Sequence, residues 1–589
     1  MERLKPCDQM EMATQVEEIA CPGWLDRTAG PGMIFAFVLL SIVVINPFRE
    51  MVALDDSWAY ARMVQHLLST GQYQLDIWSA ANMPVQIYLA AGLSKIFGYS
   101  LSLLRCSTLA LLIVGLFSFY ALLRELACSR QTASLLTIAL LASPLTLILG
   151  FTFMSDVPFL AWLLLALWLY VRGLRHNSLT SIFLGSVAAG CAIGTRQFGV
   201  ALVGGLVLCW LVSGRQRRRP FRLFATGLAV PLLAAGLQFH LGLSAPNITQ
   251  AVRLAEQHEL FRQPAVVLLQ ELFWRCAIIL QYIGMAMLPV LPLALFAWRS
   301  GRQGISGRRR LIAAITLLGG VAIVAALSMS SFLTARPAAQ HRGAWEPLEL
   351  YWLLPTQFEH GRPVMRFLDL AGIAGGAVLI GTCWKEILRA WHSRYLSTEW
   401  TFLAGTAVGL FALHLVYVQL NDTYITAFIP FGLLAFAKAE RDGADHSHPL
   451  GWSAVISATL IVVMSLYIRS EYSAQDALWK GANALVASGV RPENIAAPLA
   501  WDEYHGAFDQ WVAAGTPGLT APPGTLTQGD DPFHDPFYQW RRMRDDKVDY
   551  HVGLYPHPPS EWNTISAYGY RSMFFHQRFA WVLKRRTAH

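Results

Sequence analysis

The segment LDDSWAYARMVQHLLSTGQY, Leu54 to Tyr73, sets two adjacent carboxylates, Asp55 and Asp56, just beyond the first long apolar run, Met33 to Ile45. A carboxylate beside a bilayer is costly to desolvate, so a pair at that depth is by default a functional-site candidate. Three more charged residues stand at the ends of apolar runs: Asp156 in FMSDVPFLAW, Arg196 in AIGTRQFG and Asp422 in NDTYITAFIP. Acids and cations of this kind suit the activation of a hydroxyl beside a phosphate. A carboxylate accepts the proton of an attacking alcohol, a general-base contribution of typically ~10²–10⁴-fold. A cation steadies a departing phosphate as negative charge grows on it. Successive helix residues point about 100° apart. From a helix, Asp55 and Asp56 would therefore divide the work, one as base and the other as an orienting or metal-contacting group.

Each residue also has a plainer reading. Asp55 can cap the helix that starts at Ser57. Asp156, followed by Pro158, opens a helix in the ordinary way. Arg196 can snorkel to the interface, and Asp422 can be another cap. The functional reading rests on their combination and on where the spans place them.

The chain of 589 residues is 54% hydrophobic and 14% charged, with a mean hydropathy of +0.40. Apolar stretches long enough to cross a bilayer recur along most of it. Spans are expected near 33–47, 101–123, 131–150, 157–171, 178–195, 199–213, 223–243, 272–298, 311–333, 368–384, 400–419, 424–438 and 452–468, about thirteen helices in all. Pro84 to Gly98 is apolar but short and interrupted, and reads as an interfacial or re-entrant helix. The net charge of +8 does not indicate nucleic acid, because the Lys and Arg sit in short runs between spans. Those runs, such as RQRRRPFR from Arg215 to Arg222, mark the cytoplasmic loops. The loop after the first span, FTFMSD, TRQFG and NDTY then face the other side. The N-terminus is expected inside, with no cleavable signal peptide. The eight cysteines form no CxxC pair, so neither a disulfide framework nor a zinc site is indicated. His341, His360, His505, His534 and Asp535 match no metal-ligand spacing.

Three regions follow: a cytoplasmic segment 1–32, a transmembrane domain 33–468 with a first outer loop 48–100, and an extracytoplasmic domain 469–589. The last region is polar and rich in Pro, Gly, Trp and His. SAQDALWKGANALVASG reads as an amphipathic helix stopped at Gly489, and VDYHVGLYP and FAWVLKRR as short strands. The fold class expected is thus a polytopic α-helical membrane protein with a small C-terminal α/β domain. The aromatic residues of this region and of ARPAAQHRGAWEPLELYWLLPTQFEHGRP suit membrane interfaces first and sugar stacking second.

In order along the chain, LDDSWAYARMVQHLLSTGQY, FTFMSDVPFLAWLLLALWLYVRG and AAGCAIGTRQFGVAL resemble the landmarks of the polytopic GT-C glycosyltransferases. The nearest branch is the bacterial protein mannosyltransferase-like and aminoarabinose transferase-like group, glycosyltransferase family 39-type. The resemblance is good over roughly the first 215 residues and weaker around NDTYITAFIP. It implies transfer of a sugar from a polyprenyl-phosphate carrier, with inversion, on the outer face of the cell (inner) membrane. It makes an acid of the first outer loop the base, Asp55 ahead of Asp56, and gives Asp156 a place near base or acceptor. Related chains often carry Asp-Arg-Tyr where this one has Asp422, Thr423 and Tyr424. The cation for the carrier phosphate therefore falls to Arg196, Arg62 or Lys95, with Arg336, Arg342 and Arg362 behind them. Asp422 and Tyr424 complete the expected substrate site. The acceptor is a lipid, glycan or protein. No cofactor is firmly expected, although adjacent aspartates can hold Mg²⁺ or Mn²⁺. A transporter or flippase of a lipid-linked or small polar substrate, and a non-catalytic envelope assembly protein, are the competing readings. The first lacks support because no internal repeat is evident and the acids gather at one face rather than at the midplane.

Overall fold

The computed structural model describes residues 23–48, 53–54, 56–214, 221–244, 247–292, 372–381, 397–417, 422–440, 447–513, 541, 544–555, 557–573 and 575–586. The helices, labelled along the described chain, are α1 (Gly23–Ile45), α2 (Ser57–Thr70), α3 (Pro84–Phe97), α4 (Leu101–Glu125), α5 (Arg130–Ala142), α6 (Pro144–Gly150), α7 (Asp156–His176), α8 (Leu179–Thr195), α9 (Ala201–Gly214), α10 (Phe221–Ser244), α11 (Ile248–Arg262) and α12 (Ala265–Ala286). They continue as α13 (Gly372–Gly381), α14 (Thr398–Val416), α15 (Asp422–Ile425), α16 (Ile429–Glu440), α17 (Ser447–Ala487), α18 (Leu499–Tyr504) and α19 (Ala507–Ala513).

The helix ends follow local chemistry. Ser100, Ser129 and Ser178 each accept a backbone N–H from three residues on, which satisfies a donor the helix leaves unpaired. Gly71 closes α2 in the left-handed region, at φ 74°. Among the described residues, six helices are long and apolar enough to cross a membrane, and α5 with α6 makes a seventh if the bent pair is one span. The expected single span 131–150 is in fact this pair, bent by 69°. Ser143 is extended ahead of Pro144, as a residue before proline prefers, and Pro144 has no N–H to continue the ladder. The span expected at 311–333 lies outside the described residues, and that at 368–384 is described only as α13.

Helices α4, α7 and α8 pack closely and bury Leu112, Leu163, Leu167 and Tyr170. In contrast, α10 leaves Leu232, Leu233, Leu237 and Phe239 exposed. An apolar exterior on a helix of this length is the surface a lipid environment requires, so the chain is a membrane protein.

The span expected at 452–468 and the separate helix expected near 473–489 are one element. α17 runs unbroken for 41 residues, and Gly489 beyond it takes φ 93°. Its far half carries a four-stranded sheet of β1 (Ile495–Ala496), β2 (Tyr550–Leu554), β3 (Trp562–Arg571) and β4 (Gln577–Arg585). The strand order is β1-β2-β4-β3, parallel between β1 and β2 and antiparallel elsewhere. β2 and β4 fall in the expected segments. β3 was not anticipated, since most of it is exposed and it lacks a clean alternation.

Candidate functional site

Asp156 opens α7, and the residues before it are held from several elements. The Ser57 Oγ of α2 accepts from Phe153 N at 3.1 Å. Gln86 Nε2 of α3 donates to the Phe153 and Met154 carbonyls at 3.2 and 3.4 Å. Tyr472 of α17 donates its hydroxyl to the Phe151 carbonyl. Arg196, which ends α8, donates from Nε to Ser155 Oγ at 2.9 Å. The turn Phe151–Ser155 is buried throughout, so the bonds to Phe151, Phe153 and Met154 satisfy backbone groups that water cannot reach.

Arg196 also donates from Nη2 to Asp156 Oδ2 at 2.9 Å. Both residues are buried, with exposures of 6% and 3%. Their charges cancel in place, which is what makes an ion pair tolerable away from water. The guanidinium face lies 4.6 Å over the Tyr424 ring. Phe198, His414 and Tyr417 surround that ring, with centroids at 5.6, 6.0 and 6.3 Å. Asp156 Oδ1 is buried and meets no donor among the described residues, and the same holds for Gln86 Oε1 and Gln238 Oε1. The Gln238 amide of α10 donates to the Asn82 and Ile193 carbonyls at 3.2 and 3.0 Å, which fixes its oxygen beside the ends of α3 and α8. Buried acceptors without donors are uncommon in native proteins. Here they suit a ligand that brings hydroxyls.

Asp56 is the N-cap residue of α2 but makes no side-chain capping bond. Its Oδ1 accepts the Trp78 indole N–H at 2.7 Å instead. One turn on, the buried phenol of Tyr60 lies within electrostatic reach of Asp56, Arg196, Asp156 and Tyr424 together. Burial first, then Asp56, raises its pKa well above the ordinary value; Arg196 opposes the shift and Asp156 adds to it. Asp56, Asp156, Arg196 and Tyr424, distant in sequence, thus all act electrostatically on one phenol. Asp55 lies outside the described residues, as do Arg336, Arg342 and Arg362. Asp422 begins α15, and its side chain also lies outside them.

The other two expected phosphate contacts are Arg62 and Lys95. Arg62 is engaged on three sides: Nε is 3.4 Å from Asp76 Oδ2, Nη2 pairs with Asp509 of α19, and Nη1 donates to the Glu503 carbonyl at 3.3 Å. Carboxylates already match its charge. Lys95 is exposed in the last turn of α3, beside Ile96 and Phe97 at 74% and 71% exposure, roughly 14 Å along the axis from Gln86. Sequence reasoning missed Tyr60, Trp78 and His414, whose types alone read as core or interface. It also missed two cations of the 247–286 region. Arg253 on α11 lies within electrostatic reach of Tyr424, and buried Arg275 donates to the Leu415 and Tyr417 carbonyls. Among the described residues no three His, Cys, Asp or Glu converge as metal ligands. Asp56 and Asp156 each have an oxygen engaged by a protein donor.

Residues 81–238 match the dolichyl-phosphate-mannose-protein mannosyltransferase family. This is the mannosyltransferase-like branch that the motifs resemble. The matched segment holds Gln86, Asp156, Arg196 and Gln238, and excludes Asp56 and Tyr424. ArnT from Cupriavidus metallidurans bound to undecaprenyl phosphate is similar to this chain at 15% identity and a TM-score of 0.39, over 94% of this chain and 98% of that one. The archaeal oligosaccharyltransferase AglB from Archaeoglobus fulgidus, in complex with an inhibitory peptide and a dolichol-phosphate, is similar at 12% identity and a TM-score of 0.39, over 90% and 70%. The S. cerevisiae protein O-mannosyltransferase Pmt1–Pmt2 complex bound to the sugar donor is similar at 14% identity and a TM-score of 0.31, over 40% and 35%. No curated protein sequence matches the chain.

Proposed function

We propose that the chain is a membrane glycosyltransferase that moves a sugar from a polyprenyl-phosphate donor to a hydroxyl of a lipid, glycan or protein. The observation that carries this reading is the buried Asp156–Arg196 pair, bonded at 2.9 Å, with Asp56 acting electrostatically on the same phenol as both. Two acids and a cation at one end of a helix bundle are the parts that hydroxyl activation and phosphate departure need. The matched family, named for a dolichyl-phosphate-linked sugar, supports a lipid-phosphate donor.

In the proposed step, the acceptor oxygen attacks the anomeric carbon from the face opposite the phosphate. The new C–O bond forms as the bond to the phosphate oxygen breaks. The phosphate leaves with that electron pair, and the acceptor proton passes to a carboxylate of the first loop, Asp55 or Asp56. The configuration inverts. The unpartnered Oδ1 of Asp156 accepts from a substrate hydroxyl, while its Oδ2 stays with Arg196. Arg196 adds positive potential near the leaving phosphate, with Tyr424 as the floor beneath it. Asp422 stands at the same helix start.

The site is proposed to face outward from the cell (inner) membrane, with the N-terminus cytoplasmic and residues 469–589 extracytoplasmic. The test is Asp55→Asn and Asp56→Asn in membranes given a labelled polyprenyl-phosphate sugar. At least one variant is expected to lose transfer by 10²-fold or more. Parent-like transfer by both overturns the assignment of the base.

A further inference from the structure

The contacts around Asp56 reach beyond the first loop into the C-terminal region. Trp78 gives its indole N–H to Asp56, and its backbone N–H to Asp76 Oδ1 at 3.0 Å. Its ring packs against Trp58 of α2 at 5.7 Å and edge-on against Phe508 of α19 at 4.9 Å. Asp76 is in turn joined to Arg62, and Arg62 to Asp509 and the Glu503 carbonyl. Gln65 Nε2 donates to the Tyr504 hydroxyl of α18 at 2.7 Å. From the other side, Asn247 Nδ2 donates to the Asp76 and Ser79 carbonyls at 2.5 and 2.8 Å. The 76–79 turn is thus clamped between α11, α2 and the two C-terminal helices, with the indole pointing its donor at the acid.

We propose that Trp78 is a positioning residue for Asp56, and that the seat of α18 and α19 on the first loop holds it in place. The inference rests on the transferase reading for its effect on rate. The bond itself and its dependence on the seat can be tested without turnover. A donor fixed against one carboxylate oxygen sets the rotamer of the acid and leaves the other oxygen in a defined direction. Among the described residues, the charged and titratable groups near the pair include Tyr60 and Arg62 on α2, Asp76 in the turn, Glu503 and Asp509 at the seat, and Asp156 with Arg196, which act on Tyr60.

The experiment labels the full-length protein in detergent with 5-fluorotryptophan. The Trp78 resonance is the one absent from Trp78→Phe, a variant that keeps an aromatic ring between Trp58 and Phe508. That resonance is expected to move in Asp56→Asn, and to broaden or move in Arg62→Gln. In kinetics, Trp78→Phe is expected to lower kcat about tenfold while KM for the donor stays within about twofold, as for a group that orients rather than binds. A Trp78 resonance that ignores Asp56→Asn overturns the inference whatever the transfer rates. An Asp56→Asn variant that moves the resonance yet transfers sugar normally supports the bond and overturns the role given to Asp56. A resonance that responds to Asp56→Asn but ignores Arg62→Gln overturns the part played by the seat.

Discussion

At the residue scale, the structure turns on a buried pair whose members were both visible as charged residues at span ends. Desolvation makes such residues rare unless they are matched, and that rarity is why Asp156 and Arg196 stood out in the sequence. Their mutual bond was not legible, because nothing in the spacing says that the start of α7 meets the end of α8. Asp156→Asn leaves Arg196 buried without a counter-charge, an expected cost of about 3–5 kcal/mol. Thermal unfolding in detergent measures it. The double variant Asp156→Asn/Arg196→Gln is expected to recover part of that loss, since the stranded charge is gone. Transfer is expected to fall in both. Trp78 and Tyr60 stayed hidden for a different reason. Aromatic residues near a membrane have abundant structural uses, so only contact with Asp56, or reach to both acids, distinguishes these two.

At the scale of elements, the helices follow from capping serines, prolines at first turns and close interhelical approach. A β-carbon built at Gly115 of α4 stands 3.0 Å from the Ala161 Cα of α7. Small residues let helices approach where lipid supplies no hydrophobic drive. Gly115→Val is expected to destabilise the bundle by about 1–3 kcal/mol, read as a lower melting temperature without a change in donor KM. The break at Ser143–Pro144 was latent in the dipeptide, yet the apolar run across it read as one span. Hydropathy does not sense a missing N–H. The same insensitivity split α17 in two. Charge and polarity rise at Arg469 and Glu471, so the apolar signal stops there while the helical backbone continues.

At the scale of the whole molecule, the C-terminal region that meets the first loop through Arg62 holds a buried acid of its own. Glu503 is fully buried, and its Oε2 accepts the Phe508 N–H at 2.8 Å. Burial pushes its pKa up to about 8 from an ordinary 4.5, with Arg541 opposing and Asp502 adding to the rise. The folded state therefore holds a proton that the unfolded chain has released between those values. The stabilisation is whole below about pH 4.5 and is lost as pH rises through about 8. Proteolysis of the C-terminal region is expected to quicken from pH 6 to about pH 9, and Glu503→Gln is expected to flatten that slope. The opposed faces carry a prediction of their own. Cysteines at 62 and 217 are expected to react with impermeant reagents from opposite sides of the membrane.

The unbroken α17 gives the molecule an axle. At 1.5 Å per residue its 41 residues reach about 60 Å, twice a hydrocarbon core of about 30 Å. The apolar half of the helix and the half that carries the sheet are therefore in phase. One alanine inserted near residue 469 turns everything beyond it by about 100°. That rotation swings Asp509 off the bearing of Arg62 with every side chain of the seat intact. Cross-linking of cysteines placed at 62 and 509 is expected to vanish with that single insertion. A seven-residue insertion, about two full turns, restores the heading but raises the seat by about 10 Å, and the same cross-link is expected to stay lost.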